Sequence, residues 1–306
     1  MKGILSMVPK KYLLCAMLFA CSIANILFAN TLAVSQSGGG NFTTIQAAIN
    51  AAKPGDVVKI LDAATYPEQV TIDSTKDGLT LTSSEPTALN KPRIVWQDTV
   101  NVHPKTAAEY QVDSLINFDK NGALRILSAI NITVNGLAID GGGPYVYGWA
   151  CVWTSTSGPA SDLVAGNAAL TIWGSGGAHI TNCDVSNAYW GINLKDRNEG
   201  GIFANANPAD LQPKNIVPMS GFGRTGNHII EYNRIHNNSF GLWFESSWDL
   251  GSTIRYNLIY ENHHQTAAFS HTVATSPTGN NCGTDGKNQP GGALFFRDVA
   301  YSPLSI

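Results

Sequence analysis

Two segments of this chain repeat at an offset of 24 residues: IEYNRIHNN from Ile230 and IRYNLIYEN from Ile254. Ile, Tyr, Asn, Ile and the final Asn recur in register. A third copy, ITNCDVSN from Ile180, matches the first at an offset of 50, with Cys183 in the place of Asn233 and Val185 in that of Ile235. A weaker fourth, ITVNGLAID from Ile132, lies 48 residues before the third. A period near 24 means a solenoid, because so short a unit cannot bury its own apolar face. The units read as strands: apolar residues alternate, and Asn, Gly and Ser turns separate the runs. After residue 53 no stretch has helical amphipathicity. Such a unit is the size of one coil of a parallel β-helix, with coils about 4.8 Å apart and like residues over like. Asn233 over Asn257 would then form an internal amide ladder. The competing reading is a β-sandwich with a chance repeat.

Composition agrees. Charged residues are 13% of the 306, against about 25% in average soluble proteins, and 30 residues are Gly. A coiled coil, a helical bundle and a long disordered tail all need more charge or more helix formers. A multi-span membrane protein is excluded, since one apolar run alone is long enough. That run, Tyr12 to Ala29, follows Lys2, Lys10 and Lys11 and precedes small-residue cleavage options at Ala29 and Ala33. This is the order of a secretory signal. Residues 1–33 are therefore expected to leave, with 34–306 as the mature domain. Three Lys go with them, so 19 basic residues become 16 against 22 acidic, a balance of −6. No basic patch of the size nucleic acid requires is present. The expectation is a secreted monomer, extracellular or periplasmic, with no membrane attachment after cleavage. Three cysteines would remain, Cys151, Cys183 and Cys282, an odd number that rules out a full disulfide framework. Cys183, in a strand pattern, reads as a small buried hydrophobe. A bridge between Cys151 and Cys282 has no support from spacing.

The segment GGGNFTTIQAAINAAKPGDVVKILDAATYPEQVTI contains an amphipathic helix over 44–52. It carries Ile45, Ala48, Ile49 and Ala52 on one face, and Pro54-Gly55 stops it. A helix of this kind covers the open end of a solenoid. Residues 38–72 resemble the N-terminal cap and first coil of pectin-lyase-like right-handed β-helix proteins, which include pectin methylesterases. The repeats extend that resemblance to the neighbourhood of His271. It implies an all-β fold, a right-handed single-stranded parallel β-helix with a short N-terminal capping helix. It does not single out an activity. Gln97-Asp98-Thr99 resembles part of a methylesterase motif but comes too early in the chain. The remaining methylesterase motifs, those of polygalacturonase-like hydrolases and the Arg-Pro-Arg segment of pectate lyases are absent.

Four strands align on their apolar alternation: Leu124–Leu127, Leu170–Trp173, Ile192–Lys195 and Leu242–Glu245. First and third positions point inward, so second and fourth point outward. Two outward columns result: Arg125, Thr171, Asn193, Trp243; and Leu127, Trp173, Lys195, Glu245. The Gly-, Pro- and Asn-bearing segments 141–168 and 196–227 read as long loops beside this sheet, the usual lining of a groove. Trp173, Asn193 and Trp243 are the expected substrate contacts, with His263 and His264 on the next coil. Glu245, Lys195, Asp196 and Arg125 are the candidate catalytic groups. Elimination at a uronate needs a base such as Lys195 and a cation for the carboxylate, such as Arg125 or calcium. Hydrolysis needs two carboxyls about 5–9.5 Å apart, for which Glu245 with Asp249 or Asp196 are the choices. Asp196, Glu199 and Asp249 offer the hard oxygen ligands calcium prefers, though no loop has a calcium-binding spacing. The expected function is thus a secreted carbohydrate-active protein, a polysaccharide lyase or glycoside hydrolase. The alternative is a non-catalytic, glycan-binding or adhesive surface β-helix.

Overall fold

The computed structural model describes residues 29–96, 122–142, 168–188, 190–195, 226–238, 240–245, 251–262 and 292–297. The chain divides into two units at Asn30/Thr31, and the second holds every described strand. It opens with β1 (Thr31–Val34) and helix α1 (Ile45–Ala51), then repeats a three-strand coil. The coils are β2 (Val57–Ile60), β3 (Thr65–Tyr66), β4 (Val70–Asp73); β5 (Thr80–Ser83), β6 (Arg93–Val95), β7 (Gly122–Leu127); and β8 (Thr133–Asn135), β9 (Ala138–Asp140), β10 (Ala168–Trp173). They continue as β11 (His179–Thr181), β12 (Asp184–Ser186), β13 (Trp190–Lys195); β14 (Ile229–Glu231), β15 (Arg234–His236), β16 (Phe240–Glu245); and β17 (Thr253–Arg255), β18 (Leu258–Tyr260), β19 (Gly292–Arg297).

First, second and third strands of successive coils pair, all in parallel, into three sheets. Sheet A runs β1-β2-β5-β8-β11-β14-β17, sheet B β3-β6-β9-β12-β15-β18, and sheet C β4-β7-β10-β13-β16-β19. This is a parallel β-helix, wound in the right-handed sense that parallel crossovers adopt. Ile230 pairs with Ile254, and Ile180 with Ile230, as the repeat requires. The fourth copy is corrected by two residues: Val134, not Ile132, pairs with Ile180. A shift of two leaves the same face inward, so the alternation alone could not detect it.

Inward side chains such as Val58, Leu81, Val134, Ile180 and Ile230 of sheet A meet Ile94, Ile139, Val185 and Ile235 of sheet B in one core. The corners are sharp because single residues take left-handed φ. Gly136, Asn182, Tyr232 and Tyr256 do so between sheets A and B. Asn tolerates that conformation, whereas Tyr pays strain there. Gly136 also has a packing reason, since a Cβ there would stand 2.3 Å from Pro86 Cα.

Two amide ladders brace the coils. Asn233 Nδ2 donates to Asn257 Oδ1 at 3.0 Å and to the Ile180 carbonyl at 2.9 Å, while its Oδ1 accepts from the Cys183 amide at 2.9 Å. Asn238 over Asn262 repeats the pattern, at 3.0 Å. At the other end Thr44 caps α1, whose Ile45, Ala48 and Ile49 join the core. Glu68 accepts the Ile45 and Gln46 amides at 2.7 and 3.0 Å. The solenoid's first strand begins at Thr31, ahead of the boundary at 34 expected from the signal.

Candidate functional site

Sheet C carries the two columns read from the sequence, in the same register. Arg125, Thr171, Asn193 and Trp243 are successive partners, as are Leu127, Trp173, Lys195 and Glu245. The structure extends each at both ends. Thr71 precedes Arg125 and Phe295 follows Trp243, while Asp73 precedes Leu127 and Arg297 follows Glu245. At the level of strand register, Lys195, Glu245 and Arg297 thus stand one above another in consecutive coils.

Three of these outward positions, the expected substrate contacts, are buried. Trp173 is 4% exposed, Trp243 7% and Asn193 0%. Trp243 lies in a cluster outside the main core with Ala168, Trp190 and Phe240. Its ring is 4.9 Å from Phe240, edge-on, and 5.9 Å from Trp190. Alternation fixes which side of the sheet a residue takes. It is silent on what lies against that side. The register keeps one offset through these strands, and at Gly191 a Cβ would meet the Gly241 carbonyl oxygen at 2.4 Å, so the coils approach closely there. The sequence reading missed Trp190 and Phe240 because it began each strand two residues late.

Arg125 is half-buried. Its Nε and Nη2 donate to Thr71 Oγ1 at 3.0 and 2.7 Å, and burial lowers its pKa. Asp196, Glu199, Asp249, His263, His264, the segment 97–99 and nearly all of the loops 141–168 and 196–227 lie outside the described residues. Cys183 is a free, buried cysteine, its thiol pushed up to about 11 by burial. Cys151 and Cys282 lie outside the described residues.

A second surface was not foreseen. Tyr232 and Tyr256 stack at the corner between sheets A and B, with ring centroids 5.1 Å apart and planes 20° apart. They are 54% and 67% exposed. The Arg255 guanidinium sits 5.5 Å from the Tyr256 centroid. Its Nε also donates to Glu231 at 2.8 Å, and His179 lies 3.0 Å from the other oxygen. The hydrogen bond from Arg255 leads the lowering of the Glu231 pKa. The signal was in the repeat, where Tyr recurs in register at the corner.

A family described as periplasmic copper-binding protein (NosD) matches residues 131–280, just under half of the chain. No curated protein sequence matches. Among solved structures, YbhC of Escherichia coli is similar, with a TM-score of 0.46 and 10% identity over 84% of this chain. The chain spans 58% of YbhC's length. A pectin methylesterase in complex with a hexasaccharide gives a TM-score of 0.42 at 12% identity, covering 79% of this chain and 73% of that one. An alginate lyase from Paenibacillus gives 0.30 at 13%, covering 74% and 75%.

Copper takes imidazole, thiolate and thioether ligands. Among the described residues no three His, Cys, Asp or Glu side chains converge. His179 is engaged with Glu231, His236 with Asp184, and the Cys183 thiol is buried and protonated. The described residues therefore do not make a copper site. Nor, among them, is any helix long and apolar enough to cross a membrane.

Proposed function

We propose that this is an exported carbohydrate-active protein acting on a polysaccharide along the outer side of sheet C. The observation that carries the reading is the column of Lys195, Glu245 and Arg297 in consecutive coils, beside the column of Arg125 and Trp243. It alternates base, acid and cation at about 4.8 Å per coil. Elimination from a uronate suits such a column: one group takes the ring proton, a cation holds the carboxylate, and another group protonates the leaving oxygen. In this reading Lys195 or Glu245 transfers the proton, and Arg125 or Arg297 holds the carboxylate. Trp173, Asn193 and Trp243 wall the site rather than offer open faces. Hydrolysis is less well supported, because it needs a second carboxyl within about 9.5 Å of Glu245. Among the described residues of these columns that carboxyl is Asp73, four coils away, or about 19 Å. Asp196 and Asp249 are the remaining partners for that chemistry.

The test is a polysaccharide panel, scored separately for new unsaturated ends and new reducing ends, followed by Glu245→Gln on whichever substrate reacts. Turnover should fall by about 10² or more with little change in Tm. Unchanged turnover removes Glu245 from the mechanism.

A second reading, a non-catalytic glycan binder, is favoured by the exposed Tyr232–Tyr256 stack, since tyrosine faces suit the apolar faces of sugar rings. On it, Tyr256→Ala should weaken retention in a polysaccharide gel by about fivefold, an aromatic contact of about 1 kcal/mol. Retention unchanged by Tyr256→Ala would reject it.

A further inference from the structure

The outer face of sheet B holds a small cleft that the proposed polysaccharide site does not use. Its floor is Thr65, Arg93 and Asp184, from strands β3, β6 and β12, and its wall is the segment before β6, with Asn90 and Lys91. The cleft has a volume of about 170 Å³, room for about six waters.

Its charges do not balance. Asp184 is engaged: Oδ1 meets His236 Nε2 at 2.7 Å, and Oδ2 meets Arg234 Nη1 at 3.4 Å. Arg234 is further fixed by the Tyr260 hydroxyl, 3.1 Å from Nη2. Arg93 pairs with Asp140 at 3.2 Å through one nitrogen, so most of its donor fork is unused. Lys91 is the group left over. Its ammonium makes a hydrogen bond to the Pro86 carbonyl at 2.6 Å, and among the described residues no carboxylate stands at ion-pair distance. Burial leads the lowering of its pKa. A half-buried cation without a partner is costly unless an anion joins it. Three cations against two carboxylates leave one positive charge, and it is placed at the cleft wall.

We infer that this cleft binds a compact oxyanion, a carboxylate or phosphate group, between the Lys91 ammonium and the free edge of the Arg93 guanidinium. Asn90 and Thr65 are the neutral polar groups beside it. Both cations present N–H donors, and the cleft's own acceptor, Asp184, is already satisfied by its partners. The site stands on a different sheet from the Glu245 column, so its occupancy is independent of the polysaccharide reading.

Isothermal titration of the full mature protein with inorganic phosphate, and separately with citrate, tests the inference, with glucose as the neutral control. At least one anion should bind at millimolar concentration or below, and glucose should not. The anion that binds more tightly identifies phosphate or carboxylate as the natural group. Lys91→Gln should weaken binding by about tenfold or more, the worth of a charge-assisted contact. Lys59→Gln, on sheet A, should leave it unchanged. Should Lys91→Gln lower the Tm by disturbing the Pro86 contact, Arg93→Gln decides instead, since the buried Asp140 keeps its hydrogen bonds from the Gly142 amide and Asn187 Nδ2. Failure of both anions to bind overturns the inference, as does binding that survives Lys91→Gln and Arg93→Gln.

Discussion

Asp62 shows how one carboxylate can tie two coils together. Its Oδ2 accepts from Ser35 Oγ and the Gln36 amide, both at 2.8 Å, and from the Ser37 amide and hydroxyl, both at 3.1 Å. Its Oδ1 accepts from the Tyr66 hydroxyl at 2.6 Å. Burial alone would raise its pKa, but hydrogen bonds from Tyr66, Ser37, Ser35 and Ala64 outweigh burial and hold it well below the carboxylate range. A depressed folded-state pKa stabilises the fold above the unfolded value, about 3.9, and the contribution is lost as pH falls below it. Asp62→Asn should therefore lower stability at neutral pH by about 2 kcal/mol, the scale of hydrogen bonds to a charged group. It should also flatten the acid limb of the stability curve. Thermal melts between neutral pH and about pH 2.5 read both effects, since that range spans the unfolded-state titration. An acid slope equal to wild type would remove Asp62 from this role. Nothing in the repeat pattern marks Asp62, because its partners come from turns whose geometry exists only once the coils are stacked.

Among the elements, the Asn ladder bears most weight. Asn233 is 1% exposed and satisfies two buried backbone groups and the half-buried Asn257 amide at once. Asn233→Ala leaves the Cys183 amide and the Ile180 carbonyl without that partner. Each such loss costs about 1–3 kcal/mol, so about 3 kcal/mol in all is expected from urea unfolding. Asn257→Ala, nearer the exposed end of the ladder, should cost less. Equal costs would mean that the ladder does not transmit burial along the solenoid. This element was legible because the same Asn recurs at the same place in two copies. The Asn238–Asn262 ladder is marked in the same way, by the recurring final Asn, and it repeats the same pattern against the Ala188 amide and the Val185 carbonyl. Sheet C was legible in the same limited way. Leu, Ile and Phe at alternate positions fix its register and its inward face. The burial of Trp243 rests on Trp190 and Phe240, which lie ahead of the segment whose alternation sets the register.

At the scale of the molecule, the first coil distinguishes two places at which a cleaved protein would begin. The sequence offers cleavage after Ala29 or after Ala33 with nothing to choose between them, because both satisfy the small-residue rule. The solenoid separates them. Strand β1 pairs with β2 through Thr31↔Val57, Leu32↔Val58, Ala33↔Lys59 and Val34↔Ile60. The Ala33 carbonyl accepts two further amides, Asn41 at 2.8 Å and Phe42 at 3.1 Å, which fold the next segment back toward α1. Cleavage after Ala33 would remove three of the four β1 residues and the acceptor for both amides. At about 1 kcal/mol for each lost hydrogen bond, the terminal coil would lose several kcal/mol. Cleavage after Ala29 leaves β1 whole. The mature protein recovered after export should therefore begin at Asn30, as an intact mass would show. A variant made to begin at Val34 should unfold at lower urea concentration, starting from the α1 end, with amide exchange there faster than in sheet C. An exported protein beginning at Val34 with unchanged stability would mean that β1 is dispensable. Retention of Met1 to Ala29 would make the apolar run an anchor instead of a signal.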